Sequence, residues 1–130
     1  MSSQPDRRWP ASLYGVGQEP DPRFSLANER TALAWIRTAS SIVAGGIALA
    51  VYASAAPGRH WVTYLAVAAC LAGAGLGITS FFRWMRVERA LRLQQPMPAP
   101  AFLLFALLVI IPLLIVLAGL VLGDFGDFGA

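Results

Sequence analysis

Three long stretches of this chain carry no charge. They run from Thr38 to Gly58, from His60 to Phe82 and from Leu93 to Gly123. A helix needs roughly 20 apolar residues to cross the hydrocarbon of a bilayer, and each stretch supplies them. The pattern predicts an all-α membrane protein with three transmembrane helices, over about residues 25–56, 60–93 and 99–123. Residues 1–24 are rich in Pro, Ser, Gly and charge without periodicity, which predicts a flexible tail. Residues 124–130 form a short tail after the third span. Arg7-Arg8 is followed by Trp9-Pro10-Ala11-Ser12 rather than an apolar run, so the pair is not part of a signal peptide.

The ends of the spans carry their own signals. Ser25 is placed to cap the first helix, with Asn28 and Glu29 in its first turn. Ala56-Pro57-Gly58 stops it, and the short connection makes the first two spans antiparallel neighbours. The second helix is expected to continue beyond the membrane to Leu93. Pro96, Pro98 and Pro100 break the chain before the third span, and Pro112 predicts a kink within it.

Composition agrees with this reading. Of 130 residues, 57% are hydrophobic and 13% charged, with mean hydropathy +0.61. A soluble domain carries about a quarter charged residues, so an ordinary water-soluble globule is excluded. The single cysteine, Cys70, excludes an intrachain disulfide framework and a cysteine-rich metal site.

The net charge of +3 hides an asymmetry. All ten basic residues are arginine. Arg7, Arg8, Arg23, Arg30 and Arg37 precede or enter the first span, and Arg83, Arg86, Arg89 and Arg92 follow the second. Only Arg59 lies at the opposite end, which also holds Asp124 and Asp127. The positive-inside bias places the N-terminus in the cytoplasm and the C-terminus outside. Trp61, Tyr64, Phe125 and Phe128 then fall at the outer interface, and Trp35, Phe82 and Trp84 at the inner one.

Small residues recur every four positions: Ala44 and Ala48 beside Gly45-Gly46, then Ala69, Gly73 and Gly77, then Gly119 and Gly123. Such residues let helix backbones approach closely in lipid. They serve packing within one hairpin, contact between subunits, or both. Three helices do not enclose a polar path, so any transport requires a homo-oligomer.

Most of the candidate chemistry lies in two arginine clusters. In the first, Arg30 and Arg37 are seven residues apart, on one helix face and about 10 Å apart along the axis. That face continues through Ala34, Ser41, Ala44 and Ala48. Arg37 falls at the edge of the hydrocarbon, where it either snorkels to lipid phosphate or lines a mouth. Glu29 requires a partner, and Arg86 or Arg89 is expected to brace it. In the second cluster, Arg83 to Arg92, four arginines step by three around a helix. Trp84, Val87 and Leu91 form the complementary apolar stripe, and Glu88 and Arg92 form an i,i+4 pair. The plain reading is a topology signal on anionic lipid. Nucleic acid is not an expected partner, because the basic residues hug a membrane and no recognition module is visible.

The stretch Asp21 to Thr38 resembles the signature of the YidH-type family of small bacterial inner-membrane proteins. Its centre is Leu26-Ala27-Asn28-Glu29-Arg30-Thr31 and Leu33-Ala34-Trp35-Ile36-Arg37-Thr38. The resemblance spans about residues 21–123, a three-helix domain over 25–123 included. It implies kinship with the membrane part of the vacuolar transporter chaperone complex, which makes polyphosphate and passes it through a channel built from several such units. By that resemblance the entrance positions are Arg23 and Arg30, with Arg83 and Arg86 after the second span. This sequence carries neither a polymerase nor a phosphate-sensing domain, so synthesis is not expected of it.

His60, Cys70 and the repeated Asp124-Phe125-Gly126 and Asp127-Phe128-Gly129 suggest no reaction. No phosphate loop, nucleophile elbow or zinc spacing appears. The expectation is therefore a non-enzymatic, cofactor-free and metal-free membrane protein. Its leading function is a homo-oligomeric module that binds or conducts a phosphate-like anion. Arg23, Arg30 and Arg37 would line its mouth, Arg83, Arg86 and Arg89 the funnel around it, and Glu29 would be the structural ion pair. The alternative is a non-conducting structural or regulatory subunit that binds anionic lipid or a protein partner.

Overall fold

The computed structural model describes residues 8–55, 58–99 and 101–128, with side chains described as far as Gly123. Arg7, Ala56-Pro57, Pro100 and the side chains of Asp124, Phe125, Asp127 and Phe128 lie outside the described residues. The described residues form four helices: α1 (Ala11–Tyr14), α2 (Pro22–Ala55), α3 (His60–Arg92) and α4 (Ala101–Phe128). The last three are long and apolar enough to cross a membrane.

The start of α2 differs from the sequence expectation. Asp21, not Ser25, is the cap. Its carboxylate accepts the N–H of Arg23 at 2.9 Å, and its carbonyl accepts that of Phe24 at 3.0 Å. Pro22 occupies the first helical position, where its missing N–H costs nothing and its fixed φ favours the helix. Ser25 is thereby inside the helix and free for another partner. At 34 and 33 residues, α2 and α3 are each about 50 Å long, well beyond a hydrocarbon core of roughly 30 Å. The α4 helix runs through Pro112 to Phe128 and so extends beyond the expected limit at 123.

The α2–α3 hairpin is the packed unit. Two glycines set the approach of its backbones. A Cβ on Gly46 would lie 3.0 Å from the Ala66 carbonyl oxygen and 2.6 Å from Cys70 Sγ. One on Gly73 would lie 2.9 Å from the Ala39 carbonyl oxygen and 2.7 Å from Val43 Cγ2. Each helix therefore contributes one glycine to a reciprocal close contact. By contrast, Gly45, Gly75, Gly119 and Gly123 have no atom within 4 Å of such a position. The small residues thus divide: some close the hairpin, and others remain uncovered on the protomer.

The α4 helix leans on this hairpin along one edge, parallel to α2. Near its start, Ala106 joins Ala39 and Leu76 in a small core, with Trp35 set edge-on to Phe102 at 4.8 Å. Farther along, Leu117 and Leu120 rest on Leu49, Val62 and Ala66. Among the described residues of α4, only Ala106 is buried.

Residues 8–20 do not form the featureless tail expected from their composition. They carry α1, bury Leu13, and fold onto the end of α3. Gln18 N–H donates to the Arg92 carbonyl at 3.0 Å. Gly17 has φ +67° and lies against that same carbonyl so closely that any Cβ would collide with it. Local composition predicted disorder because the buried partner surface lies 75 residues away in sequence, as the difference between 17 and 92 shows.

Replacing Gly73 with Leu should separate α2 from α3 and lower protomer stability by ~1–3 kcal/mol, the usual cost of overpacking. Gly45→Leu should leave protomer stability unchanged. Thermal unfolding in detergent, followed by tryptophan fluorescence, checks both.

Candidate functional site at the basic end

The basic end of the hairpin holds a buried polar junction. Glu88, on α3, is 4% exposed despite its charge. Ser25 Oγ donates to its Oε1 at 2.9 Å. Asn28 Nδ2 donates to its Oε2 at 3.4 Å and to the Trp84 carbonyl at 3.1 Å. These contacts tie α2 to α3. Arg92, also 4% exposed, brings its Nε within 3.9 Å of the same carboxylate. A buried carboxylate is tolerated only with hydrogen bonds and an opposite charge, and Glu88 has both.

Arg92 in turn joins α3 to residues 8–20. Its Nη2 lies 3.8 Å from Glu19 Oε1, and its guanidinium stacks 4.7 Å from the centre of the Tyr14 ring. Arg8 also approaches that ring, at 4.8 Å, and makes a two-pronged bond to Glu19 at 2.8 and 2.9 Å. Tyr14 thus contacts two cations whose charges are met by Glu19 and Glu88. The Arg92 Nε–H itself has no hydrogen-bond acceptor among the described residues.

The sequence marks Glu88 and Arg92 as an i,i+4 pair but not their burial. A signal was present: Glu88 stands one turn after Trp84 and beside Val87, at the border of the apolar stripe. Glu29, expected as the brace, has no ion pair among the described residues. It is exposed and borders an apolar groove with Leu33, Ile36, Phe81 and Trp84. The carboxylate between the helices is Glu88, because its register on α3, rather than that of Glu29 on α2, points into the crossing.

The six predicted arginines fall into two groups. Arg23, Arg30 and Arg37 are exposed on α2, and none forms an ion pair among the described residues. Arg37 and the buried Ala39 are two residues, or about 200°, apart around the helix, so Arg37 points away from α3. Arg30 and Arg37 therefore share a face with Ala34, Ser41, Ala44 and Ala48, all exposed. Arg83 and Arg86 lie on the flank of α3 that meets α4. They border a cavity of about 280 Å³ with Thr79, Phe82, Pro98 and Phe102. Arg83 is half-buried, 5.6 Å from the centre of the Phe102 ring. Arg89 is exposed. The two groups are not brought together within one protomer. At the opposite end, Arg59 donates to the Tyr52 hydroxyl at 2.8 Å. No group of three potential metal ligands occurs among the described residues.

Fold and junction together define a three-span membrane protein whose two longest helices are joined by a buried carboxylate. Comparison with known proteins makes this specific. Residues 23–90 match the family described as a domain of unknown function, DUF202. The chain is 41% identical over 107 residues to inner membrane protein YidH of Escherichia coli K12, which covers 82% of this chain and 93% of that protein. It is also 41% identical over 99 residues to the uncharacterized protein Rv2272 of Mycobacterium tuberculosis H37Rv, covering 71% of this chain and 78% of that one. No solved structure matches the chain. The chain belongs to the DUF202, YidH-type family and is a multi-pass inner-membrane protein. The matched stretch contains Ser25, Asn28 and Glu88.

Glu88→Ala should destabilise the protomer by ~1–3 kcal/mol, because Ser25 and Asn28 lose their buried acceptor and Arg92 keeps only the exposed Glu19, already shared with Arg8, as counter-charge. Arg89→Ala should have little effect. Denaturant titration in mixed micelles checks the pair. Gly17→Ala should instead free residues 8–20 without loosening the hairpin, read as faster trypsin cleavage near Arg8 at unchanged helix content.

Proposed function

We propose that the chain assembles with copies of itself into a membrane module whose basic end and N-terminus face the cytoplasm. Its arginines form a mouth that binds or conducts a phosphate-like anion. The observation carrying this reading is the uncovered stripe on α2. Arg30 and Arg37 face away from their own hairpin and have no ion pair among the described residues. The small residues Ala34, Ser41, Ala44 and Ala48 continue the stripe toward the other end. Charged side chains at such depth require water, a partner or lipid phosphate. Rotational symmetry supplies a watery axis by repeating the stripe around it. A ring of guanidiniums at its entrance attracts anions and binds phosphate two-pronged. Arg23 extends the ring outward, and Arg83, Arg86 and Arg89 add positive potential around it. The nine-to-one distribution of arginine supports the orientation.

A second reading has its own support. Arg83 and Arg86 face the α4 flank rather than the α2 stripe, as expected of a non-conducting subunit that grips anionic lipid or a protein partner.

Purified protein in liposomes should release entrapped orthophosphate or a short phosphate chain. Arg30→Glu with Arg37→Glu should reduce the flux at least about tenfold, since each lost guanidinium–phosphate contact is worth roughly 1.5–3 kcal/mol. Equal and negligible flux from both proteins would overturn conduction and leave the second reading. Sedimentation in detergent would test assembly separately.

A further inference from the structure

We propose that the notch between α3 and the start of α4 is a headgroup site for an anionic phospholipid, with Arg83 and Arg86 holding the phosphate. The inference rests on the basic end lying at a membrane surface and not on conduction.

The charge balance of the notch is one-sided. Two guanidiniums border it and, among the described residues, no carboxylate does. The described acids of this end are committed or placed elsewhere, and Asp21 caps α2. Glu88 is held by Ser25, Asn28 and Arg92. Glu19 pairs with Arg8 and approaches Arg92. Glu29 borders the groove made by Phe81 and Trp84. Two cations converging on one cavity repel each other unless an anion lies between them, and guanidinium geometry suits the paired oxygens of a phosphate. Thr79 adds no competing charge; its hydroxyl donates back to the Gly75 or Leu76 carbonyl at 2.8 and 3.0 Å.

Shape and surroundings favour a lipid over a free ion. The cavity, at about 280 Å³, is far roomier than the roughly 30 Å³ share of a water molecule. Its walls are Phe82, Phe102, Phe105 and Pro98. Phe82 and Phe105 remain 50% and 43% exposed on the protomer. They offer an apolar surface running from the arginines toward the hydrocarbon, as a glycerol and its acyl chains require. Arg83 is already oriented by its contact with the Phe102 ring, which lowers the ordering cost of binding. The bound lipid would also fill the gap where α4 departs from α3. It would thereby strengthen the attachment of a helix that buries only Ala106 among its described residues.

The test is retention of lipid by the full chain released from nanodiscs into native mass spectrometry. Wild type from phosphatidylglycerol discs should carry that lipid, and wild type from phosphatidylcholine discs should not carry its lipid. Arg83→Ala with Arg86→Ala should weaken retention about tenfold or more, the loss of at least one charge-assisted contact. Arg83→Lys with Arg86→Lys keeps the charge and topology signal, and should retain lipid at an intermediate level because lysine does not bind two-pronged. Arg30→Ala with Arg37→Ala should retain lipid as wild type does, even if it abolishes flux. Equal retention by wild type and the lysine variant would overturn the proposed two-pronged grip. Arginine-dependent binding of radiolabelled orthophosphate in phosphatidylcholine discs, with no lipid retained from phosphatidylglycerol, would overturn the lipid assignment in favour of a free anion.

Discussion

Everything in this protomer depends on the closeness of α2 and α3. Water does not drive two apolar helices together inside a bilayer, because lipid tails are as apolar as leucine. Contact area between backbones must supply the attraction. Gly46 and Gly73 make that possible by removing the two side chains that would hold the helices apart. The crossing then sets the register at the far end of the pair. It brings Ser25 and Asn28 level with Glu88, so that one carboxylate is satisfied from the neighbouring helix. Ser80 Oγ adds a further link by donating to the Ala32 carbonyl at 3.4 Å. Apolar packing within the membrane and polar bonding beyond it are consequences of the same alignment.

The two halves of the hairpin accordingly use different physics. The membrane half relies on dispersion between small side chains, a sum of many weak contacts. The basic half lies where each helix outruns the hydrocarbon, and there hydrogen bonds and charge are affordable. A buried carboxylate such as Glu88 would be far less tolerable at mid-bilayer. Its position also explains why Arg92 can be buried while Arg23, Arg30, Arg37, Arg86 and Arg89 stay exposed. Only Arg92 sits where both Glu88 and residues 8–20 can surround it. Those five arginines are exposed on the protomer.

Span number and helix order were legible because hydrophobic length is a strong, local signal. The α3 helix runs without interruption from His60 to Arg92, since no proline falls within it. The expected cap of α2, Ser25, lies about one turn beyond the observed one, Asp21. Proline at position 22 decides between them. Residues 8–20 were illegible for a different reason. Tyr14, Gly17, Gln18 and Glu19 look like loop residues locally, and only the tertiary position of Arg92 gives them work. The arginines themselves were found by count and spacing, but their division between two flanks was not. That division depends on which side of α3 receives α4, information that no periodicity contains.

The shallow seating of α4 decides how firmly the third span is held. Among its described residues α4 buries only Ala106 and rests other side chains against the rim of the hairpin, so little apolar contact fixes it in place. The link to α3 runs through Pro96 and Pro98, which favour extended backbone and lend it reach. The attachment of α4 is thus the weakest joint among the described residues, and the glycine-sealed hairpin is the firmest.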